Sequence, residues 1–438
     1  MSDIAKQYQQ KLVTAEAAIE TMAAKETLMI PYGVSQPPAL IQALAKRAKS
    51  GSFEEIIVYY MRALANMGEL LLQYDMTDVF KFRPLSMGYY DRQLVKIADQ
   101  HEKKVVDFVP NHFSQIPKLI AENFNIDTFI VAVSPLDDDG YFNLGHNVAY
   151  SLAAVKKAKK VIVEVNRHIA PARGNCRIPF EAVDIIVEHD APLAEYQNRE
   201  PDEIDHQIGQ QLLDLIPNRA TIQIGVGSVP NAITAQLQSH QDLGIHTELL
   251  TANLTQLIEK GVVTGKYKKI HTGEHLCTLS FGEKKLYDFL ASNKQVVSYP
   301  VDYVNNPHVI AQHDDFISIN SLIEIDLYGQ INVENINHRQ YNAIGGHFDF
   351  LRGAYASNGG KSILAFRSTA MDGKVSRIVP YLHSMMSGSR ADIQYVATEH
   401  GVINLKGLSS SQRAQSLIKL AAPQFRDELQ KAAKQLHL

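Results

Sequence analysis

Short apolar runs alternate with longer amphipathic stretches along almost the whole chain, and this alternation restricts the possible folds more than any other feature. Ile56-Ile57-Val58-Tyr59-Tyr60, Thr128 to Val133, Val161 to Val165 and Ile185 to Val187 are short and largely apolar. Runs of this length and composition read as buried strands. Stretches such as Asn147 to Ala158, after Gly145, read as helices between them. Strands alternating with helices predict an α/β protein with mostly parallel sheets.

The 438 residues, 45% of them apolar, suffice for two such domains. The segment Ala191 to Glu203 has two prolines, several charges and no apolar periodicity. It marks a boundary between domains at residues 1–195 and 196–438, with a helix from Ile204 to Leu215 opening the second. The halves echo each other. Ile30-Pro31-Tyr32-Gly33-Val34-Ser35-Gln36-Pro37-Pro38-Ala39-Leu40 and Ile224-Gly225-Val226-Gly227-Ser228-Val229-Pro230-Asn231-Ala232-Ile233 each join a strand end to a helix through glycine, serine and proline. Either the domain is duplicated, or two ordinary strand–loop–helix junctions look alike.

Charge and cysteine content narrow the function. The 43 Lys and Arg against 47 Asp and Glu give a net charge of −4, which argues against a nucleic-acid partner. Cys176 and Cys277 are the only cysteines, too few for a disulfide framework or a Cys-rich zinc site, so a reducing compartment is expected. The first twenty residues lack an apolar signal core, and no apolar run reaches the ~18 residues that span a bilayer. A cytoplasmic protein with no membrane partner is the expectation.

Three segments can carry chemistry. In Gly225 to Pro230, the glycines let backbone approach a ligand, and free N–H groups at a helix start can hold a phosphate or an oxyanion. Pro230 is expected at the first helical position and stands where a dinucleotide fingerprint needs glycine. In Gly244-Ile245-His246-Thr247-Glu248-Leu249-Leu250, a helix is expected to begin near Glu248, with Leu250, Leu254, Leu257 and Ile258 on one face and Gly261 past its end. Glu248 is then either a first-turn carboxylate favoured by the helix dipole or a nucleophile toward a thioester. In Asn342 to Ala354, Gly345-Gly346 beside Asp349 and Arg352 reads as a tight turn, structural or near a ligand. Asp137-Asp138-Asp139-Gly140 reads as a solvated turn. His271 and His275 have i, i+4 spacing but enclose Gly273 and lack the zinc-peptidase order, so no metal site is expected.

In order along the chain, these segments resemble the acetyl-CoA hydrolase/transferase family, especially its 4-hydroxybutyrate and butyrate:acetate CoA-transferases. The resemblance rests on Lys11 to Ala17, Phe108 to Pro117, Val133 to Gly145, Gln223 to Pro230, Gly244 to Glu248 and Val301 to Pro307. It continues through Ile323 to Gln330, Gly345 to Ala354, Gly373 to Pro380 and Thr398 to Val402. It implies two CoA-transferase-type α/β domains with the active site between them. Glu248 matches the glutamate that carries CoA as a thioester. Gly225, Val226, Gly227, Ser228 and Val229 match a CoA-contacting loop, with the Val226 N–H one oxyanion donor and Gly346 the other. Ile323, Asn342 and Lys374 fall at CoA-contacting positions, and Asn320 at one that orients the glutamate. Coenzyme A is thus implied as substrate and covalent intermediate, with no permanently bound cofactor and no metal. The implied partners are acyl-CoA and small carboxylic acids, and a homodimer or higher homo-oligomer is expected. An acyl-CoA hydrolase and a non-catalytic CoA-binding protein are the alternatives. The sequence departs from the family pattern at Thr251-Ala252-Asn253, at His347-Phe348 and at His146-Asn147. These put the acyl specificity in question rather than the nucleophile. His146 reads equally as a contact to the acyl chain or as structure, and Asn147 as a helix cap.

Overall fold

The computed structural model describes residues 3–197 and 199–438. The chain forms two compact units, Met1–Tyr196 with Cys277–Tyr303 and Gln197–Leu276 with Val304–Leu438.

The first unit contains β1 (Lys25–Met29), β2 (Glu55–Met61), β3 (Phe80–Ser86), β4 (Thr128–Val133), β5 (Lys160–Val165) and β6 (Ile185–Glu188). They lie in the order β3-β2-β1-β4-β5-β6, every neighbouring pair parallel. All six residues of β4 are buried, as a strand covered on both faces requires. Helix α1 (Pro38–Lys49) follows β1. Proline opens it, Leu40, Ile41, Leu44, Ala45 and Ala48 form its buried stripe, and Lys46, Arg47 and Lys49 favour its C-terminal end. That stripe shares a core with Leu28, Ile30, Ile56 and Val58.

The second unit repeats the plan with β7 (Thr221–Ile224), β8 (Gly244–Leu250), β9 (Phe316–Asn320), β10 (Lys361–Ala365), β11 (Tyr395–Thr398) and β12 (Gly401–Asn404). Their order is β12-β11-β10-β9-β7-β8, parallel except for the antiparallel β11–β12 pair. In each unit the first strand lies inside the sheet, and successive connections leave it in opposite directions. That reversal opens a crevice at the carboxyl ends of the strands, beyond β1 and β4 in one unit and β7 and β9 in the other. Helix α2 (Ser228–Gln236) follows β7 as α1 follows β1. A second core gathers Leu322, Ile325, Phe348, Leu351, Phe366 and Leu417.

The helix expected from Asn147 begins later, at Ser151, with Tyr150 at its cap. The N–H groups of Val148 and Ala149 donate to the Thr278 carbonyl, which fixes that backbone outside a helix, and Ala149 takes φ 41°. Asn147 is buried and caps nothing. Among the described residues, no helix is long and apolar enough to cross a membrane.

Candidate active site

Glu248 lies near the carboxyl end of β8, not at a helix start. Buried Ile245, His246, Thr247 and Leu250 keep the chain extended through residue 250, and helix α3 (Ala252–Glu259) begins only after Thr251. Leu254, Leu257 and Ile258 are buried on that helix as expected, whereas Leu250 belongs to the strand. Gly261 follows the helix at φ 72°.

The Asn305 side-chain amide donates to Glu248 Oε2 at 2.7 Å. Gly346 caps helix α4 (His347–Ala356), and a Cβ built there would overlap both Glu248 Oε2 and Asn305 Nδ2. Only a residue without a side chain lets that turn approach the carboxylate so closely. The Gly346 N–H has no acceptor among the described residues.

The Gly225 loop follows β7, the strand beside β8. The Gly225 N–H donates to Ile319 O at 2.9 Å, and a Cβ there would come within 3.1 Å of Asn320 Oδ1. Gly227 holds φ 126°, a conformation that favours glycine. The helix begins at Ser228, so Pro230 stands third rather than first. The third position is still in the first turn, where a missing N–H breaks no helical bond. The N–H groups of Val226, Gly227, Ser228 and Val229 find no acceptor among the described residues, and Val226 is 47% exposed. Such a helix start can receive an anion.

Asn320 does not orient Glu248 through any bond seen here. Its Nδ2 donates to Gln223 Oε1 and Ser318 Oγ, both at 3.0 Å, and its Oδ1 accepts from Gln223 Nε2 at 3.1 Å. The amide at Glu248 is instead that of Asn305, a residue the sequence reading passed over. The signal lay in Asn305-Asn306-Pro307. Asn306 caps the helix opened by Pro307, accepting from the His308 N–H at 2.9 Å, which leaves buried Asn305 for another task.

Ile323 and Asn342 meet one turn. The Ile323 N–H donates to Asn332 O at 2.9 Å, and the Asn342 N–H to Glu334 O at 3.0 Å. The Asn332 side chain ties these ends together by accepting from the Glu334 N–H at 3.1 Å. Lys374 is exposed on the turn between the short strands Thr369–Ala370 and Val375–Ser376. The cation bound at Ile323 is Arg377, whose Nε donates to Ile323 O at 2.9 Å and whose pKa burial lowers to about 10. Arg352 pairs with Asp392 at 2.9 Å.

In the first unit, His146 Nδ1 lies 2.9 Å from Ser298 Oγ, and burial lowers its pKa to about 4. Asn147 Nδ2 donates to Ser280 Oγ at 3.4 Å.

A sheet parallel but for one edge pair, with a carboxylate near the carboxyl end of β8 that accepts from the Asn305 amide and presses on a bare glycine backbone, belongs to a CoA-transferase-type α/β protein. The crystal structure of RipA from Yersinia pestis superimposes with a TM-score of 0.96 at 42% identity, covering 99% of both chains. The sequence matches the acetyl-CoA hydrolase/transferase N-terminal domain over residues 1–195 and the C-terminal domain over residues 282–433. The chain belongs to the acetyl-CoA hydrolase/transferase family. Similar relatives are a succinyl-CoA:cyclohexane-1-carboxylate CoA transferase of Geobacter metallireducens, 36% identical across 99% of this chain and 97% of that one, and a 4-hydroxybutyrate coenzyme A transferase of Clostridium kluyveri, 37% identical across 96% and 97%.

Proposed function

We propose that the protein is a CoA-transferase that moves coenzyme A between short-chain carboxylic acids, 4-hydroxybutyrate or butyrate with acetate, through a glutamyl-CoA thioester on Glu248. One observation carries this reading. The Glu248 carboxylate is held by Asn305 at 2.7 Å against the side-chain-free backbone of Gly346. A carboxylate fixed that way is a preorganised nucleophile.

Glu248 attacks the acyl-CoA carbonyl. The C–S bond breaks, CoA leaves as thiolate, and an acyl–glutamyl anhydride forms. The thiolate attacks the glutamyl carbonyl and expels the donor acid as carboxylate. An acceptor carboxylate then attacks the enzyme thioester, and the same steps run in reverse. The N–H groups of Val226 and Gly346 serve as oxyanion donors, the loop from Gly225 to Val229 cradles CoA, and Ile323, Asn342 and Lys374 contact it. Coenzyme A is substrate and covalent intermediate in this scheme, and the enzyme works as a cytoplasmic homo-oligomer.

A single-turnover assay with butyryl-CoA, with and without acetate, tests the reading. Acetyl-CoA formed only with acetate, and one CoA bound covalently to the enzyme without it, is the expected result. Free CoA and butyrate released at equal rates in both arms would make the protein a hydrolase. Unchanged butyryl-CoA would make it a binding protein.

A further inference from the structure

Glu248 touches Asn305 and Gly346, and both trace back to a buried histidine on its own strand. His246 precedes Glu248 by two residues on β8, so the two side chains share a face of the sheet. Its Nε2 lies 2.7 Å from Val304 O. A carbonyl only accepts, so Nε2 carries the proton, and the neutral ring's Nδ1 must then accept. That nitrogen lies 3.1 Å from His313 Nε2, which donates to it. The tautomers of both rings follow from this one carbonyl. Burial holds the His246 pKa well below its ordinary value and lowers that of His313 to about 3, so both rings are neutral near pH 7.

Val304 is bonded to Asn305, so the His246–Val304 hydrogen bond sets the backbone from which the Asn305 amide reaches Glu248. On another side, the His246 ring stands edge-on to Phe350 on α4, with centroids 6.3 Å apart at 79°. The Phe350 N–H donates to Gly346 O at 3.1 Å. Phe316 of β9 closes the cluster, 5.9 Å from His246 at 81°. One ring therefore braces both neighbours of the carboxylate.

We propose that His246, fixed in its tautomer by His313, is a positioning residue for Glu248: it holds Val304 and helix α4 so that Asn305 and Gly346 meet the carboxylate. This rests on the reading of Glu248 as the nucleophile. His246→Phe keeps an aromatic ring and removes the donor to Val304, whereas His246→Gln places an amide N–H near the Nε2 position.

The test measures kcat and KM for butyryl-CoA with acetate, and solves each variant's crystal structure. His246→Phe is expected to lower kcat roughly tenfold or more, since small misplacements of reacting groups are costly. KM stays within about twofold, and the Asn305–Glu248 separation lengthens beyond about 3.5 Å. His246→Gln recovers most of the rate and the short contact. Wild-type kcat with the contact intact in His246→Phe would overturn the proposal, as would equal losses in both variants. If His246→Phe does not fold, His313→Leu decides: a smaller kcat loss with a longer contact supports the proposal, and no change in either overturns it. A wild-type enzyme that transfers no CoA would refute the assigned function, while the crystallographic distances would still decide the positioning role.

Discussion

Each unit joins its first sheet strand to a helix through a loop with glycine, serine and proline, and the two loops finish in opposite ways. After β1 the junction is filled. Gln36 Nε2 donates to Pro31 O and Arg62 O, its Oε1 accepts from the Leu64 N–H, and the Leu40 N–H in the first turn of α1 donates to the buried Glu164 carboxylate at 2.9 Å. After β7 four successive N–H groups find no acceptor among the described residues, and Val226 is 47% exposed. A helix start thus meets an internal carboxyl group in one unit and is left open in the other. The difference is what the proposed role of the Gly225 loop in CoA binding requires, and the folds alone do not show it.

Glu248→Ala is the strongest way to break the contrast. It is expected to abolish CoA exchange, a loss of roughly a thousandfold or more, while changing stability by no more than about 1 kcal/mol. Exchange kinetics and chemical denaturation of one preparation check both halves. Gly346→Ala comes next. The added methyl meets Glu248 and Asn305, and displacing the proposed oxyanion donor as well should cost roughly a hundredfold or more in kcat. If only the affinity for acyl-CoA fell, Gly346 would be a wall of the binding site and not part of the reacting centre. Gly227→Ala forces a side chain into φ 126°, a strain of about 1–3 kcal/mol that disturbs the open junction. KM for acyl-CoA should rise roughly tenfold with a smaller change in kcat. An unchanged KM would detach this loop from CoA binding.

The smallest effect on activity belongs to the filled junction. Burial raises the Glu164 pKa from 4.5 to about 7, with the N–H groups of Leu40 and Ala39 pulling the other way. The folded state therefore holds this proton where the unfolded chain has lost it. The stabilisation is complete below pH 4.5 and disappears as pH rises to about 7. Glu164→Gln should flatten the fall in Tm across that window and leave CoA transfer within about twofold of wild type. A large loss of transfer would mean that the first unit's junction also serves the reaction.

Much of the architecture was legible in the sequence because buried parallel strands advertise themselves. β2, β4, β5 and β6 are the four runs read there. β1 showed only as a strand end at Ile30, since Lys25-Glu26-Thr27 is exposed or half-buried and only Leu28 and Met29 are buried. β3 is obscured by Arg83-Pro84. Glu248 was legible as a residue but not as a place, because Thr247-Glu248-Leu249-Leu250 fits a helix start as well as a strand end when the neighbours in space are unknown. Asn305-Asn306-Pro307 could have marked Asn305 as spare, but not its partner: its hydrogen bond spans 57 residues, and no local pattern reports a contact of that range.

The excursion of Cys277–Tyr303 into the first unit has a consequence during synthesis. Glu248 leaves the ribosome well before Asn305, with a stretch of the other unit translated in between, and Gly346 emerges later still. A nascent chain therefore carries its carboxylate for many codons before either neighbour exists to aim it. On the proposed reading of Glu248 as the nucleophile, a polypeptide released before residue 346 has that carboxylate without its setting and consumes no acyl-CoA by this route.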